Sequence, residues 1–405
     1  MEAKEKLLLW RKIMTEYYTP TRVLFGKGAE TKLGETLKKD GYKRALLHYG
    51  GKSAVQSGLL DRIEADLNEN GIDVIKVGGV VPNPRVTKVR EAIEKAKEHK
   101  SEIIIALGGG SVIDSAKAIA YGLFNHDGDI WDYYLGERKV KGAFPLAVIL
   151  TLSATGSEMS ASSVISNDEG PGYKRGLNSE WGRPKYAFLN PELTYSVSRY
   201  QTASGSADIM MHTLERFFHS GNGLMLTDDL AVSLLKTVMI YTPIAISDPS
   251  NYEARANLMW AGALSHNGLM NMGADSRGDW ACHQMEHELS AKFDVAHGAG
   301  LTAIWSSWAK YVFPSIEDRL CILGEKLFSL EGEKEKIARE TIYEMEKFFL
   351  SIDMPIRING LGIDLTEEDI SDLSYGATFH RKRTIGDSFK LGEKEISDIY
   401  RLARS

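Results

Sequence analysis

The chain has 405 residues, 43% hydrophobic and 26% charged, with 49 basic and 55 acidic side chains for a net charge of −6. That is the composition of a globular protein too long for one core, so two domains are expected, and the charge balance gives no reason to expect nucleic acid or an anionic membrane as partner. No apolar run approaches the ~20 residues of a membrane span; the start, MEAKEKLLLWRKIMTEYY, is too weakly apolar for a signal peptide; and two cysteines, Cys282 and Cys321, need no disulfide scaffold and fit a reducing cytoplasm.

Residues 1–13 read as a charged helical extension. From about Thr19 strands and helices alternate. Lys43–Tyr49 reads as a buried strand ending at Gly50-Gly51, Ser57–Asn70 as a helix stopped by Gly71, and Ile72–Val77 as a strand. Val86–Lys97 is an amphipathic helix, and Glu102–Leu107 and Leu146–Leu150 are further strands. This alternation predicts a parallel sheet with helices on both faces. After Thr194 the strand signals fade. Residues 202–219, 224–246, 251–270, 279–292, 299–311, 317–331 and 333–350 each read as helices, giving an α/β domain over 1–197 and a helical domain over 198–405.

Two loops fit a dinucleotide. The strand at 102–107 runs into Gly108-Gly109-Gly110-Ser111 and then a helix. Glycines allow close backbone approach, and a helix start offers free N–H groups to a pyrophosphate. Thr151–Met159, TLSATGSEM, follows the next strand and is dense in hydroxyls, at the carboxyl end of a sheet where ligands bind.

The histidines are unevenly spread. The stretch from His212 to His297, about a fifth of the chain, holds six of the ten. His283 and His287 are four apart and share a helix face, as do Asp208 and His212. His297 follows just before Gly298, where the helix is expected to have given way to a loop. Such side chains from two helices and one loop can close on a divalent cation, zinc or ferrous iron. Spacing leaves His283 and His287 as equal candidates.

Several stretches together resemble the iron-containing alcohol dehydrogenases, most closely their butanol dehydrogenase branch: YYTPTRVLFGKG (17–28), PNP (82–84), GGGSVIDSAK (108–117), TLSATGSEM (151–159), DIMMHTLE (208–215), NLMWAGALSHNG (257–268), HELSAKFDVAHG (287–298) and TIGDSFKL (384–391). The resemblance implies a dehydroquinate synthase-like fold, an N-terminal dinucleotide-binding domain and a C-terminal helical domain with cofactor and metal in the cleft between. It implies metal ligands at Asp208, His212, His283 and His297, with His287 near the nicotinamide and a candidate for proton relay. Implied cofactor contacts are Gly108, Gly109, Gly110, Ser111, Asp114, Thr151, Leu152, Thr155, Lys174 and Asn178. The implied reaction is reversible reduction of short- or medium-chain aldehydes to primary alcohols, with Fe2+ or Zn2+, in the cytoplasm; a homodimer is compatible with it. The apolar stretch 257–275, with Leu258, Met259, Trp260, Leu264, Leu269, Met270 and Met272, is a candidate pocket wall, plain helix core being the alternative.

Where NAD-using relatives carry Asp, this chain has Gly51. No carboxylate lies between His48 and Gln56, and Gly50, Gly51, Lys52 and Ser53 suit a phosphate, so NADP(H) is expected over NAD(H). Asn190 stands where Asp is usual, and His297-Gly298 replaces the commoner His-Ala. Three other readings compete. His283-Gln-Met-Glu286-His287 matches the inverted zinc-peptidase motif H-x-x-E-H. A sugar-phosphate or polyol enzyme of the same fold would want basic residues near the metal. A metal-dependent binding protein would need no turnover at all.

Overall fold

The computed structural model describes residues 14–169, 173–221 and 223–405; the expected extension 1–13 and the Lys52 side chain lie outside the described residues. Among the described residues the strands are β1 (Arg22–Phe25), β2 (Arg44–Tyr49), β3 (Asp73–Val77), β4 (Ile103–Gly108), β5 (Leu146–Leu150), β6 (Ser162–Ser166), β7 (Lys174–Asn178) and β8 (Tyr186–Leu189). Six form one all-parallel sheet in the order β1-β8-β5-β4-β2-β3. The central strands β4 (IIIALG) and β5 (LAVIL) are buried throughout, as a sheet covered on both faces requires. The covering helices are α1 (Leu33–Lys39), α2 (Lys52–Gln56), α3 (Leu59–Glu69), α4 (Val86–His99), α5 (Gly110–Phe124) and α6 (Ile130–Tyr134). One apolar layer on each sheet face results, with Val89, Ile93 and Ile119 on one side and Leu37, Leu60 and Leu67 on the other.

Register decides where the loops emerge. Tyr49 pairs with Leu107 and Gly108 with Leu150, so Gly50, Gly109 and Thr151 leave neighbouring strands side by side. The chain passes from β2 out to β3, then returns through β4 to β5, so this edge is the topological switch point where α/β sheets bind ligands.

Beyond Ser198, whose side chain caps the next helix by accepting from Gln201 N at 3.2 Å, the described structure is helical. The elements are α7 (Arg199–Phe217), α8 (Met225–Ser247), α9 (Tyr252–Ser265), α10 (Ala281–Phe293), α11 (His297–Tyr311), α12 (Phe313–Phe328), α13 (Lys334–Ser351), α14 (Glu367–Ala377) and α15 (Glu393–Ala403). α7 is buried from Thr202 to Phe217 and forms the axis of this half. α8 is the one described helix long and apolar enough to cross a membrane; it packs on α7 and α9 and carries Val232, Leu235 and Val238 into the core.

Three expectations change. His297 does not sit on a loop: it is the first residue of α11, because Asp294 takes a left-handed φ of 52° that ends α10 and turns the chain at once into the next helix. The stretch 251–270 is not one helix; α9 stops at Ser265, and Gly268 at φ 97° begins a separate short turn over Leu269–Asn271. The antiparallel pair β6–β7 and the four-residue strands β1 and β8 add to the sheet strands read from the sequence.

Candidate metal and cofactor site

Asp208, His212 and Glu215 lie on one face of α7 at spacings of four and three residues. α10 crosses this face. Its early N–H groups are met by Asp279, which accepts from Ala281 N at 3.2 Å, and by Glu215 Oε1, which accepts from His283 N at 3.0 Å. Glu215 Oε1 also takes His283 Nδ1 at 3.1 Å, which leaves Nε2 to point elsewhere. That Nε2 lies 4.0 Å from Asp208 Oδ1, His297 Nε2 lies 3.8 Å from it, and His212 Nδ1 lies 3.4 Å from it. Three imidazole nitrogens therefore gather on Asp208 Oδ1, from two helices and the start of a third.

The gathering fits a divalent ion. Asp208 Oδ1, His212 Nδ1 and His283 Nε2 are all buried without a hydrogen-bond partner, a costly state for polar atoms unless a cation joins them; His212 faces Asp208 but lies outside the compact group that Asp208 forms with His283 and His297. Burial pushes the Asp208 carboxyl up, against the pull of His297 and His283. Burial, with His266 and His283 beside it, holds His212 well below the ordinary histidine range, so it offers a neutral lone pair. In His283 and His297 the opposite ring nitrogen meets a carboxylate, Glu215 and Glu286 respectively, the arrangement that orients metal-binding histidines. Asp208, His283 and His297 form one compact ligand group; Glu286, His287 and His297 form a second that shares His297.

His287 is buried, its ring 5.8 Å from that of His297, and burial together with nearby Lys174 keeps it well below the usual range. Glu286 is not available as a peptidase base. It is wholly buried and accepts from His297 Nδ1, Ser290 Oγ and Lys174 Nζ, the last at 3.5 Å. The H-x-x-E-H match is thus a helix turn with its Glu facing inward.

The cofactor candidates assemble at the switch point. A Cβ on Gly109 would lie 3.1 Å from Leu152 Cβ, and one on Gly110 would overlap Thr155, so Leu152 and Thr155 pack directly on the glycine turn. Thr151 N donates to Gly108 O at 3.1 Å. Gly50 lies against Val112, one residue past Ser111. Ser53 and Asn178 are exposed, on α2 and at the end of β7. The Asp114 carboxylate is committed to Ser157 Oγ at 2.6 Å and Val164 N at 2.9 Å, and so ties the hydroxyl loop and the β6–β7 hairpin to α5. Gly156, at φ 63°, lets the hydroxyl loop meet α9 backbone to backbone, since a Cβ there would overlap Gly262 O. A Cβ on Gly298 would overlap the Ser204 carbonyl, which accounts for Gly after His297.

Two features escaped the sequence reading. Glu215 could have been found at seven residues from Asp208 on the same helix face. Trp280, left-handed at φ 63°, had no such signal; its ring lies 5.1, 5.7 and 6.2 Å from those of His283, His266 and His212 and walls the site. The proposed apolar wall largely resolves as core. Leu258, Met259 and Met270 are buried in the packing, and Trp260 is exposed, edge-on to Phe25.

Comparison with known proteins identifies the family. Residues 20–191 match the family description "Iron-containing alcohol dehydrogenase" and residues 202–404 match "Fe-containing alcohol dehydrogenase family, C-terminal". NADH-dependent butanol dehydrogenase A of Clostridium acetobutylicum is 39% identical over 95% of this chain and 98% of its own. NADPH-dependent aldehyde reductase YqhD of Escherichia coli is 33% identical over 86% of this chain and 89% of its own. The crystal structure of NADH-dependent butanol dehydrogenase A from Thermotoga maritima superposes with a TM-score of 0.93 at 35% identity, covering 97% of this chain and 99% of that one. The chain belongs to the iron-containing alcohol dehydrogenase family, in its butanol dehydrogenase branch, and is an NAD(P)-dependent alcohol dehydrogenase or aldehyde reductase.

Proposed function

We propose that this enzyme reversibly reduces short- and medium-chain aldehydes to primary alcohols, with NADPH preferred over NADH, at one Fe2+ or Zn2+ held by Asp208, His212, His283 and His297. The observation that carries the reading is the set of three unpartnered buried ligand atoms on Asp208, His212 and His283. When bound, the ion supplies Lewis acidity toward the substrate oxygen and the nicotinamide supplies or accepts hydride. The chain's own part is positional. Glu215 and Glu286 fix the rings of His283 and His297, and Trp280 closes one wall. His287, a neutral imidazole with one donor and one acceptor nitrogen, is assigned the proton relay. Gly108–Ser111, Thr151, Leu152 and Thr155 would hold the pyrophosphate, with Asp114 bracing them and Lys174 and Asn178 on the adjacent hairpin.

The relatives' names, butanol dehydrogenase and aldehyde reductase, support the substrate class. We further assign residues 1–197 and 198–405 as the two domains and a cytoplasmic location, which the free thiols of Cys282 and Cys321 suit. A homodimer through the open edge of β1 is supported by the exposed Phe25 and Trp260.

The test joins metal analysis to turnover. Wild type should carry one equivalent of Fe or Zn and oxidise NADPH with aldehydes from acetaldehyde to hexanal. Preference for chain length should be broad, because an apolar pocket gains only about 1–3 kcal/mol per methylene. His283→Ala should lose the metal. His287→Ala should keep it and lose about 10²- to 10⁴-fold in kcat, the usual worth of a positioned proton-transfer group. Metal retained in His283→Ala but lost in His287→Ala, or a sugar phosphate turned over far better than butanal, would overturn the reading.

A further inference from the structure

The carboxylate of Glu286 accepts both from the candidate ligand His297 and from Lys174 of the sheet domain. Its side chain is wholly buried, on α10. Oε1 accepts from Ser290 Oγ. Oε2 accepts from His297 Nδ1 on one side and from Lys174 Nζ, at 3.5 Å, on the other. The seat is shaped for it: a Cβ on Gly300 would lie 2.9 Å from Glu286 Cγ, so only glycine leaves room there.

Each neighbour of Glu286 leads to a different site. The opposite nitrogen of His297, Nε2, faces Asp208 Oδ1 at 3.8 Å. Lys174 opens β7, and its hairpin is pinned to α5 by Val164 N on Asp114 at 2.9 Å and by Lys117 Nζ on Ser162 O at 2.7 Å. α5 is the helix that begins at the glycine turn. A second bridge lies alongside: Arg175 Nη1 meets Glu288 Oε1 at 2.8 Å, its guanidinium between Tyr173 and Phe379 at 4.6 and 4.5 Å. That bridge docks the same hairpin on the same helix but touches no member of the ligand cluster. Nature of contact therefore separates the two: Arg175–Glu288 fastens, whereas Lys174–Glu286–His297 runs from a ligand of one site to a strand that borders the other.

We propose that Glu286 and Lys174 act as positioning residues that couple the two sites: an ion held at His297 Nε2 fixes the His297 ring and its Nδ1–H on Glu286, Glu286 in turn fixes Lys174 and the hairpin, and nicotinamide cofactor then binds more tightly. By linkage, bound cofactor tightens the ion by the same factor. This rests on the reading of His297 as a ligand and extends it from the ion to its communication with the cofactor.

The experiment uses full-length protein, stripped by chelator and reloaded with Zn2+, and measures NADH and NADPH dissociation constants by fluorescence in both states. The readout is the ratio of the two constants, so no turnover is involved. Wild type should bind cofactor about 5- to 50-fold more tightly with Zn2+ present, within the range usual for coupled sites. Glu286→Gln and Lys174→Met should each bring the ratio to within about 2-fold of one, and Arg175→Met should leave it at the wild-type value. A wild-type ratio of one, or a ratio unchanged in Glu286→Gln, overturns the inference; if Glu286→Gln does not fold, Lys174→Met decides alone from the other end of the strut. Zn2+ binding that His297→Ala does not weaken would instead sink the ligand assignment, so the two failures are told apart.

Discussion

The proposed preference for NADPH rests on Gly51, and its substitution can be worked through from the structure. Gly51 follows β2 and precedes α2, is exposed, and has φ −86°, outside the left-handed region that favours glycine. A Cβ placed there meets nothing within 4 Å, so Gly51→Asp should fold as the parent does. Its carboxylate would stand where the adenosine ribose of a nicotinamide cofactor sits at such strand ends. A carboxylate and a doubly charged phosphate about 6 Å apart repel by about 1.4 kcal/mol in bulk water and about 2.8 kcal/mol where the effective dielectric is halved. NADPH should therefore lose about 10- to 100-fold relative to NADH. Because the site is exposed, the effect should shrink as salt shortens the screening length from about 10 Å at 0.1 M to about 3 Å at 1 M. The assay is the ratio of kcat/KM for NADPH and NADH, in native enzyme and Gly51→Asp, at low and high salt. Native preference for NADH, as the name of the Clostridium relative would suggest, or a mutant ratio that stays put, would show that this loop does not discriminate.

Two further outcomes concern stability. Asn190 donates from Nδ2 to Glu30 Oε2 at 2.9 Å and accepts from Glu192 N at 3.1 Å, both side chains being buried; Asn190→Asp sets two buried carboxylates together and should cost about 2–4 kcal/mol at pH 7, less at pH 5, by urea denaturation, and a loss under about 0.5 kcal/mol would refute the account. His48 is fully buried between Val77 O and Ser115 Oγ, and burial lowers it to about 4. The unfolded chain takes up this proton near pH 6.5 and the folded one only near 4, so His48's contribution is intact above pH 6.5 and lost as pH falls toward 4. At pH 5 the loss should be about 2 kcal/mol relative to pH 7.5, and His48→Asn should remove that part of the acid sensitivity; an unchanged slope would rule it out.

Much of the sheet domain was legible because its central strands are long, β-branched and flanked by glycines, as in EIIIALGGG. β1 and β8 were not, since four residues at or near a sheet edge carry too little pattern to outweigh their surroundings. The helix α14 does carry a signal: Thr366 and Asp369 form a capping box ahead of Ile370 and Leu373, the marker by which a helix start is read. The turn after α10 was missed for a different reason. Asp tolerates the left-handed conformation better than most residues, but the preference is too weak to announce that Asp294 would adopt it and let His297 start α11 with Gly298 against Ser204.

The histidine motif shows most plainly where pattern ends and structure begins. His283 and His287 occupy equivalent places on one helix face, and four-residue spacing treats them alike. They differ in what crosses α10. Glu215, one turn beyond His212, reaches His283 and takes one of its nitrogens, turning the other toward Asp208. His287, one turn on, falls beside Lys174 and Glu286, where an ammonium and a carboxylate already balance. A cation belongs where buried carboxylate meets unpartnered imidazole, and that is the His283 end. At the His287 end the charge is spent on holding the sheet domain, so a neutral imidazole there is free to move a proton. On the proposed assignment one helix places a ligand and a proton carrier a turn apart, with the inward-facing Glu286 between them.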